Sequence, residues 1–344
     1  VSSHAIELHR IDCCNFDIGV FTNLTQDHLD FHGEMDTYWA CKKRFFTKIL
    51  KPDIGDTKRI AVLNCDNKYG RELFKELPGN NISAGSSQKN MIYPEILKQD
   101  LTGMEATFFS PDGNYNIKSS LAGQYNVENV LCAAGTGFAL GIKADIIASG
   151  IEDLKSVPGR IERIDNDFQR FVYVDYAHTP DALKNVLSTL KSLIKKSLIK
   201  QSLTKQRLIC LFGCGGDRDK AKRLLMGEIA AALSDLLIIT SDNPRTENPL
   251  DIINQILAGI DKTSSRRLDK SELNKGRWKL PGGINGYLVE PDREKAIFLS
   301  IKASLPGDTI IIAGKGHETY QIIGDKKISF DDHEVVRAAL KGIR

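Results

Sequence analysis

From residue 170 onward, short apolar runs rich in β-branched residues alternate with stretches of helical period. "RFVYVDY" precedes "DALKNVLSTL", "RLICLFG" precedes "DKAKRLLMGEIAAAL", "DLLIIT" precedes "PLDIINQIL", and "DTIIIAG" leads into a polar segment that contains glycine. Runs apolar on both faces, separated by amphipathic helices, predict an α/β fold with a parallel sheet and crossover helices. Ligands of such sheets sit in the crevice beyond the carboxyl ends of the strands. Four unusual loops fall there: "AHTPD", "GCGGDRD", "SDNPRTENP" and "GKGHET". Any one of them alone reads first as a polar turn; four at successive strand ends predict a binding crevice.

The first half is less regular. "FDIGVFTNL" and "RIAVLNCDN" read as strands that end in polar loops, and "NVENVLCAAGTGFALG" as a packed helix closed by glycine. "SVPGRIER", with Pro158 and Gly159, separates the two patterns, so the expected domains are 1–156 and 157–344. The lysine-rich "SLIKKSLIKQSLTK" at 192–205 repeats at five residues. That period drifts about 140° per repeat around an α-helix and makes no single apolar stripe. It reads as a solvated helix extension or surface insertion.

With 344 residues the chain exceeds the usual size of one domain, and its 47 basic and 44 acidic residues leave a formal charge of only +3. No nucleic-acid or membrane partner is expected from so even a balance. Functional charge must be local. Seven cysteines, at 13, 14, 41, 65, 132, 210 and 214, form no CxxC pair, so they read as reduced thiols of a cytoplasmic protein. No apolar run approaches the roughly 18 residues of a membrane span. The chain opens on Val1, so a native N-terminus is expected upstream.

Local charge is conspicuous at Arg245, set within the turn "SDNPRTENP". A rigid loop that presents one guanidinium fork suits a carboxylate or phosphate. In the first half, "TNLTQDHLDFHGEMDTYWACKKRFF" places His28 in a loop after a strand and Lys42 fourteen residues later on a helix. Taken singly, the histidine reads first as a structural residue and the lysine, beside Lys43 and Arg44, as a solvated one.

The ordered set "VSSH", "TNLTQDHLDFHG", "YWACK", "GQYNVENVLCAA", "PGRIE", "DYAHTPDAL", "GCGGDRD", "DNPR" and "GKGHE" spans almost the whole chain and resembles the Mur ligase family. Within that family it is most similar to enzymes that add the third amino acid to UDP-N-acetylmuramoyl-L-alanyl-D-glutamate. The resemblance implies a central P-loop-type ATPase domain, here incomplete, followed by a Rossmann-like C-terminal α/β domain. It also implies amide-bond formation: ATP with Mg2+ phosphorylates a substrate carboxylate, and an amine then attacks the acyl phosphate.

Residue by residue, the resemblance places Lys42 where these ligases carry a carbamylated lysine, and His28 where they ligate a magnesium ion. Asn126 and Asn129 match asparagines of the nucleotide site, where an amide both donates to and accepts from an adenine edge. Arg160, Asp175 and His178 match further ATP contacts. Ser2 and Arg10 match contacts to the UDP-linked substrate, whereas Leu8 stands where a relative often has glutamine. For the amino acid, Arg245 with Arg218 would clamp a distal carboxylate in the loop of Asp242, Asn243 and Pro244. Glu318, with backbone near Gly314, would accept from a distal ammonium. Both groups occur together on meso-diaminopimelate, which is therefore the expected amino acid in preference to lysine.

No GxxxxGK[ST] phosphate loop occurs in the sequence, and the family places that loop before "VSSH". Three readings follow: part of an active ligase, a catalytically inactive truncated remnant, or another ATP-dependent amide ligase such as a folylpolyglutamate synthase. "DNPR" together with "GKGHE" speaks against the last. The 344 residues alone are not expected to form an acyl phosphate, because the backbone donors of a phosphate loop are missing from them.

Overall fold

"IAVLN" at 60–64 is apolar without alternation because the strand it forms is covered on both faces. In a computed structural model that describes residues 1–25, 29–50, 59–201, 206–273 and 285–343, the chain divides into two compact units, Val1–Lys155 and Ser156–Arg344.

In the first unit, β1 (Ile18–Phe21), β2 (Ile60–Asn64) and β3 (Ile82–Ala84) form a parallel sheet in that order. The helix Gln124–Ala139 covers one face. It lies so close that a Cβ on Gly135 would meet Val62 Cγ1 at 2.7 Å. Phe21, Ala61 and Leu63 pack on the other side with Tyr38, Cys41, Phe45 and Phe46, which come from the helix Met35–Arg44 and the π-helical turn Phe45–Ile49 that continues it.

This unit also holds a sheet that the reading above did not foresee, the antiparallel β4 (Tyr93–Asp100), β5 (Gly103–Ser110) and β6 (Gly113–Ser119). Its signals were available. Met104, Ala106 and Phe108 alternate inward along β5, and Asp112-Gly113 is a hairpin dipeptide.

The second unit is built on β7 (Glu162–Ile164), β8 (Phe171–Asp175), β9 (Leu208–Phe212), β10 (Leu236–Ile239), β11 (Arg266–Arg267), β12 (Gly286–Val289) and β13 (Thr309–Ala313). Among the described residues they form one sheet ordered β11-β12-β10-β9-β13-β8-β7, parallel except for β7. Crossover helices Pro180–Gln201, Ala221–Leu233, Pro249–Ile260 and Arg293–Ala303 supply the amphipathic faces. Val172, Ile209, Leu211, Ile238 and Ile312 form the centre of the core with Ile297 and Val336 from the helices Arg293–Ala303 and Asp332–Lys341. A hairpin of β14 (Tyr320–Ile323) and β15 (Lys326–Ser329) follows β13.

The lysine-rich repeat extends the helix Pro180–Gln201, with Leu193 and Ile194 buried, and its last residues, 202–205, lie outside the described set. Five cysteines are buried, and Cys13 and Cys14 are exposed. Among the described residues no helix is long and apolar enough to cross a membrane.

Candidate functional site

Strands β10, β9, β13 and β8 are neighbours in the sheet, so the loops that follow them share one edge. Backbone contacts join them. Gly216 N donates to Asn243 O at 2.9 Å, and a Cβ on Gly216 would fall 1.9 Å from Pro244 O, a spacing only glycine permits. Gly314 N donates to Asp175 O at 3.0 Å. Gly314 has φ +114°, and a side chain there would crowd Asp242 Oδ2 at 2.9 Å.

Arg245 takes a left-handed backbone with φ +51°, a cost that β-carbon-bearing residues seldom meet outside over-determined sites. Three bonds hold it there. Its N donates to Ile322 O at 3.1 Å, its carbonyl accepts from Gly324 N at 2.8 Å, and Nη1 donates to Gly216 O at 2.7 Å. The half-buried side chain thus lies along the "GCGG" backbone. Arg218 is exposed, and its Nη1 donates to Asp217 O at 3.0 Å. Both arginines approach Gly215: a Cβ there would lie 2.9 Å from Arg245 Nη1 and 3.9 Å from Arg218 Cγ.

Beneath Arg245, Asp242, Asn243 and Pro244 are buried. Asn243 Nδ2 donates to Glu318 Oε2 at 2.9 Å, and its Oδ1 accepts from Ile322 N at 3.0 Å and Lys315 Nζ at 3.3 Å. Lys315 is fully buried and also pairs with Glu318 at 3.3 Å and Asp242 at 3.7 Å. Burial pushes the Asp242 carboxyl above the usual range, while Arg293 and Lys315 pull it back.

Two further buried arginines, absent from the sequence-derived set, brace these loops. Arg223 donates to both Glu247 oxygens at 2.8 Å and to Gly215 O at 3.0 Å, holding the Glu247 carboxyl down at about 2. Arg293 makes a two-pronged contact with Asp332 at 2.8 and 2.7 Å and donates to Ala313 O at 3.1 Å. Each sits inside a helical run where its sequence context is that of a solvated charge; only burial distinguishes it. Lys315 had a better signal, an ammonium between two glycines directly after an apolar strand.

On the β8 side, Asp175 accepts from Ile161 N and Ala177 N, both at 2.7 Å, so its carboxylate ties two loops together, and burial raises its pKa against those amides. His178 Nδ1 lies 2.9 Å from Tyr176 O, a carbonyl that can only accept, so this nitrogen carries the proton. Arg160 is exposed, with its guanidinium 5.6 Å from the Tyr176 ring centre.

In the first unit, the candidates are more open. Lys42 is half-buried near the end of its helix, with Nζ donating to Asn23 O at 3.1 Å and lying 4.9 Å from the Tyr38 ring centre. His28 lies outside the described residues. Asn126 is buried, donates to Ala122 O at 2.8 Å and accepts from the exposed Asn129 at 3.3 Å. Ser2 caps the helix Ser3–Glu7 by accepting from Ala5 N, and Arg10 is exposed.

Comparison with known proteins matches residues 1–137 to the Mur ligase middle domain and residues 159–316 to the Mur ligase, glutamate ligase domain. A UDP-N-acetylmuramoyl-L-alanyl-D-glutamate--2,6-diaminopimelate ligase of Geobacter metallireducens is 45% identical over 99% of this chain, and that of Solibacter usitatus 44%. The chain spans 64% and 62% of their lengths, respectively. A solved structure of a ligase of the same name is 32% identical with a TM-score of 0.62, covering 99% of this chain and 63% of that one.

Proposed function

This chain belongs to the Mur ligase family, and from that premise we propose that it forms the nucleotide-binding and amino-acid-binding parts of an ATP-dependent amide ligase of peptidoglycan precursor synthesis. The reaction adds meso-diaminopimelate to UDP-N-acetylmuramoyl-L-alanyl-D-glutamate through an acyl phosphate. The observation behind this reading is the loop cluster of the second unit, where a strained arginine fork and a buried, carboxylate-bearing floor occur together. Arg245 and Arg218 would take the distal carboxylate, with Asp242, Asn243, Pro244 and Gly314 shaping the floor and Glu318 accepting from the distal ammonium.

Asn126, Asn129, Arg160, Asp175 and His178 belong to the ATP side of the proposal, and Ser2 and Arg10 to the UDP-linked substrate. Lys42 is proposed to react as its neutral amine with carbon dioxide, forming a carbamate and releasing a proton; the side chain is half-buried, with Nζ beside Asn23 O. Magnesium is the expected ion, with His28 and the Lys42 carbamate as its ligands. Among the described residues no group of three or more His, Cys, Asp or Glu side chains is placed to hold a metal. An unmodified ammonium repels the ion, so the described side chains do not by themselves fit it.

The deciding experiment is amino-acid binding to the full chain by calorimetry. Arg245→Ala is expected to weaken meso-diaminopimelate by about 2 to 4 kcal/mol, as when a charge-assisted partner is removed from a desolvated site. Lysine, which has no distal carboxylate, should lose far less. Equal losses for both would reduce Arg245 to a brace of its own turn and remove the basis for choosing diaminopimelate.

A further inference from the structure

Lys315 is the one fully buried lysine among the described residues. A buried ammonium survives only where anions and acceptors are arranged around it. Here they are Glu318 Oε2 at 3.3 Å, Asn243 Oδ1 at 3.3 Å and Asp242 Oδ1 at 3.7 Å, with the Tyr320 ring centre at 5.5 Å. Asn243 closes a triangle, because its Nδ2 donates to the same Glu318 oxygen at 2.9 Å. Two donors therefore converge on Oε2. The other oxygen, Oε1, accepts no hydrogen bond among the described residues, and Glu318 is the least buried of the charged members, with 19% of its side chain exposed.

Asp242 and Glu318 both face Lys315, and Arg293 pairs with Asp332. Lys315 is fully buried, whereas the Glu318 side chain keeps a partly exposed surface. We propose that Lys315 is a positioning and specificity-determining residue, pinning one edge of Glu318 so that the opposite edge meets the distal ammonium of the amino-acid substrate. This rests on the reading that the loop cluster binds the distal end of an amino acid.

Replacing Lys315 by an uncharged side chain of similar length leaves Asp242 and Glu318 without their shared cation. Glu318 then keeps only the Asn243 amide on Oε2, its carboxylate is free to rotate, and the oriented acceptor is lost. The two probes are meso-diaminopimelate and 2-aminopimelate, which has the same chain and distal carboxylate but lacks the distal amine. Both are titrated by calorimetry into the full chain as wild type, Lys315→Met and Glu318→Gln, with circular dichroism as the check on folding.

The wild type is expected to prefer diaminopimelate. Lys315→Met should reduce that preference by at least about tenfold, the size expected for one charge-assisted hydrogen bond, while 2-aminopimelate binding changes less than about threefold. A purely structural lysine would weaken both ligands alike, and a preference that survives Lys315→Met overturns the proposal. If Glu318→Gln abolishes the preference but Lys315→Met keeps it, the ammonium pocket stands and the role of Lys315 falls. If neither variant moves it, the pocket itself is misread.

Should Lys315→Met fail to fold, nitrogen-15 NMR of lysine ammonium groups in the wild type replaces it, with Lys315→Arg identifying the signal. A protected Lys315 resonance that shifts with diaminopimelate but not with 2-aminopimelate supports the proposal. Equal shifts, or none, overturn it.

Discussion

The loop cluster of the second unit and the more open candidates of the first unit use side chains in opposite ways. In the second unit, Asp242, Asn243 and Lys315 are buried and bonded to one another, and Arg245 is held by three hydrogen bonds in a strained backbone. In the first, Ser2, Arg10 and Asn129 are exposed, and Lys42 is half-buried, with Nζ donating to Asn23 O beside the Tyr38 ring. A polar group inside a protein must find its partners before any ligand arrives, so the buried cluster is preorganised and can discriminate between amino acids that differ by one group. Half-exposed side chains have no such requirement.

The contrast can be broken most forcefully at Arg293. Its pair with Asp332 is fully buried on both sides and is tied to the end of β13 through Ala313 O. Arg293→Ala is expected to cost about 3 to 5 kcal/mol of unfolding free energy, because it strands a buried carboxylate. Urea denaturation followed by circular dichroism would measure this. A loss below about 1 kcal/mol would mean the buried charges are no more than a tolerated relic.

A smaller effect, confined to acid, is expected at Glu247. Its folded pKa of about 2 lies below the ordinary 4.5 because Arg223 donates to it. For a carboxyl depressed on folding, the contribution to stability is complete above about pH 4.5 and fades as the pH falls toward about 2. Glu247→Gln should flatten that limb of the stability profile. Melting temperatures of both proteins between pH 2 and 5 provide the check, and parallel curves would contradict it.

The smallest change is expected at Lys42, on the other side of the comparison. Lys42→Ala should move stability by no more than about 0.5 kcal/mol. It should nonetheless abolish a carbamate carbon signal that the wild type shows by NMR under carbon-13-labelled carbon dioxide. Persistence of that signal in the variant would place the carbamate on another amine.

Much of this was legible along the chain, for a physical reason. Strands covered on both faces must be apolar throughout, and the crossovers between them must be amphipathic, so β8, β9, β10 and β13 could be read one after another from composition and period alone. Turn chemistry at their ends marked the four loops, and Arg245 stood out because its fork has no local purpose in a turn. The antiparallel sheet β4–β6 was equally readable, from the alternation at Met104, Ala106 and Phe108, but its strands lack the continuous apolar runs that drew notice elsewhere.

Partnership at a distance was not legible. Arg223 and Arg293 look in sequence like many solvated cations, and nothing local distinguishes them from Lys220 or Lys295, which the fold leaves exposed. The acceptors of Lys315 on Asp242 and Asn243 lie more than seventy residues away, and those of Arg293 on Asp332 thirty-nine. Period and turn chemistry are set by neighbours along the chain, so the sequence by itself determined the four central strands of that sheet, their crossovers and the loops that end them. Whether a charge is buried or solvated depends on what the finished fold brings against it, and that only the tertiary structure decided.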